Sequence, residues 1–348
     1  MKIIYSGIQA ENYDTSRNPS FEYLNFYLTL KNMTGVEVIE YEYDRLLKIS
    51  RKKFNEELIE IIKKEKPDLF FAFMYSDEFE FQTLKTIKRL TTSIAWFADD
   101  HWRLDSYSRF YAPHFTKTIT TWGEGIKNYE RYGIDNVIRS QWACNHNIWK
   151  PFDCERDIDV SFIGQYNPAR YFLVSELRKA GINVWVRGWG WPEGRLSGKE
   201  MVRVFSRSKI NLNFSTPPKR WSPKLLSRLL LKKSTNHIRP SWHFISNFRS
   251  WFNTSIPQIK ARPFEILACE TFLISGFADD MDQYYENKKE IIYYDGSVID
   301  LVEKIKYYLD HPEEREKIAA ASYKRTQAEH TYEKRFKEIF DKIGIHMK

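Results

Sequence analysis

The chain has 348 residues, of which 42% are hydrophobic and 16% aromatic, so it can bury large cores and is not a disordered protein. Its cysteines, Cys144, Cys154 and Cys269, are odd in number and lack metal-ligand spacing, which argues against a disulfide framework. The longest apolar run, near residues 69–75, is far too short to span a bilayer, and residues 1–5 are not a signal-peptide core. These features predict a soluble, cytoplasmic protein.

The net charge of +8 is unevenly distributed along the chain. Between Glu200 and Glu265 there are 64 residues with 13 Lys or Arg and no Asp or Glu. The rest of the chain carries 41 basic and 46 acidic residues and is therefore slightly acidic. The excess positive charge thus belongs to one segment.

The first 145 residues alternate between strand-like and helix-like patterns. The run 68–74 is continuously apolar, as expected of a strand that is buried on both faces. Such alternation predicts a parallel sheet with helices on both faces. The predicted strands are 2–6, 36–41, 68–74, 93–98, 116–121 and 136–141, and the predicted helices are 19–31, 54–62, 81–87 and 124–131.

A second alternating set follows residues 146–157, which contain Pro151 and are interpreted as a linker. Its strands are predicted at 159–164, 184–188, 210–214, 271–276 and 291–294. Its helices are predicted at 168–180, at 197–206, from Arg262, and from near Ser297, Pro312 and Thr331. We therefore expect a Rossmann-like domain at 1–145 and another at 158–330. Residues 215–255 form an insertion in the second domain, and the helix 331–348 packs back on the first.

The stretch from Lys260 to Glu265 predicts an anion site. Pro263 suits the first turn of a helix, whose free N–H groups carry partial positive charge. Lys260 and Arg262 add two full charges, which favours a diphosphate, and Glu265 can accept hydrogen bonds from sugar hydroxyls. The alternative is an ordinary capped core helix.

A second candidate for the same ligand lies where a strand gives way to a helix. Gly164 ends the strand, Asn167 precedes the helix, and Arg170 can reach a phosphate or sugar. Ser275 and Gly276, which end a later strand, complete the predicted donor-binding set. The alternative is a plain strand–helix turn, because the turn contains a single glycine.

Asp99, Asp100 and His101 follow a strand that is predicted to be buried. A carboxylate or imidazole at this place can bind an acceptor or act as a general base. The alternative is a pair of helix-capping aspartates. A metal site is disfavoured, since the two carboxylates are adjacent in sequence.

The insertion combines cations with aromatic and apolar residues. It holds eight Lys or Arg, together with Trp221, Trp242 and Trp251. This composition suits an anionic membrane surface, and it also suits a polyanion such as nucleic acid or an acidic glycan. The third interpretation is a solvated basic loop. The predicted contact residues are Lys219, Arg220, Trp221, Lys232, Lys233, Arg239 and Trp242.

Several of these motifs together resemble a known family. The sequence at 262–269, the run 301–315, the tail through His330-Thr331-Tyr332, and the strand 160–164 with Arg170 beyond it resemble the glycosyltransferase-like module of the spore-maturation CgeB type. The resemblance covers the second domain except for the insertion, and more loosely residues 95–100.

The resemblance implies an α/β protein of the GT-B fold, with two Rossmann-like, doubly wound domains facing across a cleft. The second domain would hold a nucleotide-sugar donor, and the first would hold the acceptor. Related retaining enzymes carry two glutamates separated by seven residues. Glu265 matches the second, which contacts the ribose, whereas Pro257 stands at the place of the first. Glu270 replaces the glycine that usually follows Ala-Cys.

The predicted function is therefore transfer of a sugar from a nucleotide-sugar to an envelope, polysaccharide or lipid-linked acceptor. Lys260, Arg262 or Arg170 would stabilise the leaving diphosphate, so no metal or other cofactor is expected. The alternative is a non-catalytic GT-B-like protein that binds an anionic membrane or polyanion through the insertion. A cytoplasmic location on the inner face of the membrane is expected, and nucleic acid is disfavoured as a partner because no nucleic-acid fold motif is present.

Overall fold

The computed structural model describes residues 1–215, 222–233, 238–278 and 280–346, except for the side chains of Lys224 and Lys233. The chain divides into two compact units. The first unit comprises Met1–Gln141, Lys219–Ile256 and Arg335–Lys348, and the second comprises Trp142–Pro218 and Pro257–Lys334.

The first unit is built on a six-stranded parallel sheet with the strand order β2-β1-β3-β4-β5-β6, as the alternating pattern predicted. All six residues of β3 are buried, in agreement with its continuous apolar sequence. The strands are β1 (Lys2–Ser6), β2 (Glu37–Glu40), β3 (Leu69–Met74), β4 (Thr92–Phe97), β5 (Lys117–Thr120) and β6 (Val137–Arg139).

The helices of these residues agree with the predictions except in two places. The predicted helix 19–31 is a π-helical turn at Tyr23–Tyr27 that runs into α1. The run after β4, Asp100–His114, is helical throughout, with a π-helical turn at Leu104–Ser108, and was not predicted. The α-helices are α1 (Leu28–Asn32), α2 (Arg51–Glu65), α3 (Phe81–Leu90), α4 (Asp100–Arg103), α5 (Arg109–Tyr111) and α6 (Gly125–Glu130).

The second unit begins with β7 (Ile158–Ile163), α7 (Pro168–Lys179), β8 (Val184–Arg187), α8 (Gly198–Arg207) and β9 (Ser208–Asn213). Asn167 caps α7 by accepting a hydrogen bond from the backbone N–H of Arg170, and Ser197 and Glu200 form a capping box on α8. These caps fix where each helix leaves the strand before it.

Residues 222–233 and 238–256 form α9 (Pro223–Ser227), the antiparallel strand pair β10 (Leu231–Lys233) and β11 (Ile238–Pro240), and α10 (Phe244–Asn253). The sequence predicted an insertion in the second domain, whereas these residues pack in the first unit. Arg228 lies 4.1 Å from the ring centroid of Trp102, and the ring of His243 lies 5.7 Å from that of Phe110. The position of the segment in the chain gave no sign of these long-range contacts.

The chain then completes the second unit with α11 (Ala261–Leu267), β12 (Leu273–Gly276), β13 (Ile292–Tyr294), α12 (Val298–Asp310) and α13 (Pro312–Glu329), before α14 (Tyr332–Lys342). The second sheet is parallel, with the order β13-β12-β9-β7-β8. Residues from Arg335 group with the first unit, where the ring of Phe336 lies 5.6 Å from that of Phe71 on β3.

Candidate functional site

The carboxyl ends of the parallel strands β7, β9 and β12 share one edge of the second sheet, where open α/β sheets bind ligands. Arg170, in the first turn of α7, connects two of these ends. Its guanidinium donates to the carbonyl of Gln165 at 2.8 Å, after β7, and to that of Phe214 at 3.2 Å, after β9. Its buried Nε has no hydrogen-bond partner among the residues that the structure describes. Arg170 is therefore fixed at the edge with an unused donor.

Arg262 and Glu265 form an ion pair on α11. Nη1 of Arg262 lies 2.8 Å from Oε2 of Glu265 and 3.3 Å from the sulfur of Met201. Glu265 is buried, which raises its pKa, and the charge of Arg262 opposes this shift. The helix begins at Ala261 and spans seven residues, so it starts one residue before the predicted position. Glu265 thus faces an arginine of its own helix, and the exposed Lys260 immediately precedes that helix.

The two arginines influence each other. Burial lowers the pKa of Arg170, and the positive charge of Arg262 lowers it further. One carboxylate, Glu265, is paired with Arg262, whereas Arg170 donates to neutral carbonyls. This edge of the sheet consequently carries an excess of positive charge in the rigid, planar form that suits phosphate oxygens.

Gly276 allows the strand ends to approach each other closely. A Cβ at this position would lie 3.1 Å from the backbone nitrogen of Ser215 and 3.4 Å from the hydroxyl of Tyr294. Ser215 donates from its hydroxyl to the carbonyl of Gly276 at 2.8 Å, and Asn213 donates to the hydroxyl of Ser275 at 2.8 Å. Ser275 is thus held by the last residue of β9, and Gly276 by a residue just after that strand.

Tyr294 is a residue of this edge that the sequence prediction missed. Burial raises the pKa of its hydroxyl to about 12, and the positive charge of Arg170 opposes this shift, which places the two side chains near each other. Tyr294 ends β13, the neighbour of β12. Because predicted parallel strands end at a common edge, its position as the last residue of a strand was the signal available in the sequence.

In the first unit, Asp100 is buried and its carboxylate is used internally. Ser108 donates to one oxygen at 2.6 Å, and Tyr129 donates to the other at 3.0 Å. Burial raises the pKa of Asp100 to about 6, and these hydrogen bonds limit the rise. His101 is also buried. Such surroundings are typical of a group that fixes the turn after β4.

Asp99, the residue before α4, is partly exposed and adopts a left-handed backbone conformation, with φ of 61°. Its carbonyl accepts hydrogen bonds from the backbone N–H groups of Trp102 and Arg103. Its negative charge raises the pKa of Arg228, against the stronger lowering by burial. Of the three predicted residues, Asp99 is the most accessible to a ligand.

A second carboxylate cluster follows β1 and β3 and was not predicted. Tyr13 donates to Oε1 of the buried Glu78 at 2.9 Å, and the backbone N–H of Ser76 donates to Oε2 at 2.8 Å. Burial raises the pKa of Glu78, and separately that of Glu22, to about 7. The hydroxyl of Tyr75 lies near both and donates to Asn12 at 3.1 Å. Glu78 lies four residues after β3, so the end of that predicted strand was the missed signal.

The predicted polyanion contacts differ in their surroundings. Lys219, Arg220 and Trp221, and the side chain of Lys233, lie outside the described residues. Lys232 donates to the carbonyl of Ser106 at 2.6 Å, and burial lowers its pKa. Arg239 pairs with Asp77 at 3.2 Å. Trp242, in contrast, is 77% exposed.

Membrane-spanning helices and metal-ligand clusters are both absent from the part of the chain that the structure describes. No helix there is both long and apolar enough to cross a bilayer. No three His, Cys, Asp or Glu side chains there converge as a metal ion would require.

The sequence is similar to a family of known proteins and to one curated protein. A family model described as "Glycosyl transferase-like" matches residues 232–341. The spore protein CgeB of Bacillus subtilis (strain 168) is 27% identical over 208 residues, which cover 59% of this chain and 61% of CgeB. The match therefore spans less than two thirds of that protein.

Solved structures share the fold at low sequence identity. Sucrose-phosphate synthase from Thermosynechococcus elongatus is similar with a TM-score of 0.59 and 9% identity, covering 99% of both chains. Anabaena Alr3699/HepE, solved in complex with UDP and glucose, has a TM-score of 0.57, also with 9% identity and 99% of both chains covered. A glycosyltransferase from Rickettsia africae ESF-5 has a TM-score of 0.59 and 10% identity over 98% of this chain and 97% of that one.

The predicted GT-B fold, with two Rossmann-like parallel-sheet units, is thereby confirmed. The predicted resemblance to CgeB is confirmed as well. Residues 232–341 thus match a glycosyl transferase-like family model, and the chain resembles CgeB over 208 residues.

Proposed function

We propose that this protein transfers a sugar from a nucleoside-diphosphate sugar, whose diphosphate binds between Arg170 and Arg262. The observation that carries the proposal is the placement of two arginines where parallel strands end, with one carboxylate beside them. A diphosphate would offset the repulsion between the charges of the two guanidinium groups. Gly164, Asn167, Ser275 and Gly276 would form the backbone wall of the same site, with Lys260 at its rim.

The chemistry that follows is electrostatic. As the bond between the sugar C1 and the diphosphate oxygen breaks, its electron pair leaves with the diphosphate. Guanidinium groups that are already in place stabilise this growing charge. We propose on this ground that transfer needs no metal ion.

The acceptor hydroxyl must lose a proton as its oxygen bonds to C1. We propose that a carboxylate takes this proton, and Asp99 and Glu22 are the two candidates. Asp99 is partly exposed. Glu22 has a pKa of about 7, which suits a general base at neutral pH. Asp100 and His101 would position Asp99, because both are buried.

The acceptor that we propose is a hydroxyl of an envelope glycan or of a lipid-linked glycan. A solved relative with a TM-score of 0.51, S. aureus TarM, carries fondaparinux, alpha-GlcNAc-glycerol and UDP in its crystal structure, at 10% identity. That complex makes glycan and glycerol-linked hydroxyls the first acceptor classes to test.

Binding of nucleoside diphosphates tests the donor site. UDP comes first, since Anabaena HepE has been solved with UDP and with UDP-glucose. We expect UDP to raise the thermal midpoint of the wild-type chain but not that of Arg170→Ala. Lys179→Ala is the matched control, because it removes one exposed charge from the far end of the same helix. Equal stabilisation of Arg170→Ala and wild type would contradict this site.

One observation favours a second candidate, a GT-B protein that binds a nucleotide-sugar without transferring the sugar. Pro257 stands where related retaining enzymes carry a carboxylate, and Glu265 is engaged by Arg262. Incubation with radiolabelled UDP-sugars distinguishes the two. Binding without sugar release, to water or to any glycan acceptor, would favour the second candidate.

A further inference from the structure

Helix α10 is amphipathic in the inverse sense: its apolar side faces solvent. Phe244, Ile245, Phe248 and Phe252 are 53%, 74%, 55% and 52% exposed. At 3.6 residues per turn these four side chains fall within about 100° of the helix circumference. They form, with Trp242, a surface that we call the α10 apolar face. The ring of Trp242 lies 6.3 Å from that of Phe244, so the tryptophan extends this surface beyond the helix.

The buried side of α10 consists of Asn247, Ser250 and Trp251, and hydrogen bonds fix it to the first unit. Asn247 is buried and donates to the carbonyl of Leu229 at 2.9 Å and to the hydroxyl of Ser241 at 3.0 Å. Arg109 donates to the hydroxyl of Ser246 at 3.1 Å. Rotating the helix to bury its phenylalanines would break these bonds and leave buried polar groups unsatisfied. The outward direction of the α10 apolar face is therefore built into the packing.

The charge of the surrounding segment indicates what this face contacts. Residues 215–255 contain eight Lys or Arg and no Asp or Glu. Arg249 is exposed and lies next to the apolar arc on the helix surface. The side chain of Arg249 also interacts with the hydroxyl of Tyr132. A surface that complements this arrangement has an apolar interior beneath a layer of negative charge.

An anionic lipid bilayer has these properties. Trp and Phe favour the boundary between headgroups and acyl chains, and nearby cations are attracted to anionic headgroups. Helix α10 has ten residues, a length that suits a helix lying in the plane of the interface and not one that crosses it. We propose that the α10 apolar face inserts into the surface of an anionic membrane and holds the first unit there.

This proposal goes beyond sugar transfer and does not depend on it. Should UDP fail to bind, the α10 apolar face would still be expected to bind lipid. Should lipid binding fail, the arginine site in the second unit would be unaffected. Where both hold, an acceptor linked to lipid becomes the natural substrate class.

Flotation of the full chain with lipid vesicles tests the proposal. Vesicles of equal parts phosphatidylglycerol and phosphatidylcholine are compared with vesicles of phosphatidylcholine alone, at low salt. We expect binding to the anionic vesicles and a loss of at least about tenfold for the double variant Ile245→Ser/Phe248→Ser. Ile299→Ser, at a residue of α12 that is equally exposed, is the matched control and should bind as wild type does.

Charge reversal provides a second measurement. Arg249→Glu is expected to weaken binding to anionic vesicles, with the circular dichroism spectrum and thermal midpoint close to those of wild type. Failure of the wild-type chain to bind anionic vesicles at low salt would overturn the proposal. Equal binding to neutral vesicles would overturn its electrostatic part. A wild-type dimer that Ile245→Ser/Phe248→Ser converts to a monomer, without lipid binding, would assign the face to self-association instead.

Discussion

The charge of Arg262 lowers the pKa of Arg170 even though Glu265 lies 2.8 Å from Arg262. One carboxylate therefore does not neutralise the edge of the second sheet where both arginines lie. Incompletely neutralised cations at the end of a parallel sheet are typical of a site for a ligand of opposite charge.

Arg262 is expected to contribute both to UDP binding and to the stability of the fold. Arg262→Ala should lower the free energy of unfolding by about 2–4 kcal/mol, because Glu265 would remain buried without its cation. Arg262→Ala/Glu265→Gln should recover most of that loss, yet it should bind UDP no better than Arg262→Ala does. Urea denaturation and calorimetric titration measure the two effects separately. Full recovery of UDP binding in the double variant would show that Arg262 acts only on the fold.

Gly276 is expected to tolerate no side chain. The Cβ of Gly276→Ala would lie 3.1 Å from the backbone nitrogen of Ser215, so the strand ends must separate, at a cost of about 1–3 kcal/mol. UDP affinity should fall together with stability. Gly198→Ala is the control, because a Cβ there meets nothing within 4 Å and lies in the first turn of α8. That control should be neutral or stabilising, by up to about 1 kcal/mol.

Glu78 is expected to make stability depend on pH. Its pKa rises from 4.5 to about 7 on folding, so the native state holds a proton that the unfolded state loses. The resulting stabilisation is complete below about pH 4.5 and is lost as pH rises through about 7, with a total of about 3 kcal/mol. Glu78→Gln should remove this contribution and be more stable than wild type at pH 8. Parallel pH slopes for the two chains in urea denaturation would contradict the assignment.

Substitution of Asp99 and substitution of Asp100 should have different effects on stability and on activity. Asp100→Asn disturbs a buried carboxylate that accepts bonds from Ser108 and Tyr129, so it should cost about 1–3 kcal/mol of stability. Asp99→Asn should leave the thermal midpoint nearly unchanged. If Asp99 is the base, the kcat of the Asp99→Asn variant should be about 100-fold or more below that of wild type, while its affinity for UDP stays constant. If Glu22→Gln lowers kcat to this extent and Asp99→Asn does not, the base is Glu22.

Chelation tests the proposed lack of a metal requirement. Since Arg170 and Arg262 supply the positive charge in the proposed mechanism, EDTA should leave the initial transfer rate unchanged. Dialysis against EDTA followed by addition of Mg²⁺ or Mn²⁺ is the measurement. A rate that falls on chelation and returns with either ion would contradict the proposed mechanism but not the donor site.

Local sequence signals predicted the sheets well. The apolar run that becomes β3 and the alternation around it fixed the order of elements, because a parallel strand buried on both faces needs continuous apolar residues. The helical run after β4 was implied only by the helix-capping alternative for Asp99 and Asp100, and its extent was not predicted. The run also changes to π-type at Leu104–Ser108, which disturbs the usual spacing.

The site was harder to predict, since it depends on contacts between distant parts of the chain. Arg170 and Arg262 were both chosen from their places beside helix starts, but their mutual repulsion follows from tertiary packing. Glu78 and Tyr294 carry no local motif, and burial in the folded chain is the largest cause of their pKa shifts. The exposed phenylalanines of α10 have ordinary helical spacing, so the sequence does not reveal which side of the helix faces solvent.

The first unit consists of three separate segments of the chain, and this affects its folding during synthesis. Phe26 and Phe71 lie 5.3 Å and 5.6 Å from Phe336, a residue translated more than two hundred positions later. A ribosome that has completed the six strands of the first sheet has therefore not yet supplied the side chain that covers these rings. The apolar surface of the nascent first unit therefore stays exposed until α14 has been translated. Premature termination before α14 should yield a chain that chaperones and proteases recognise.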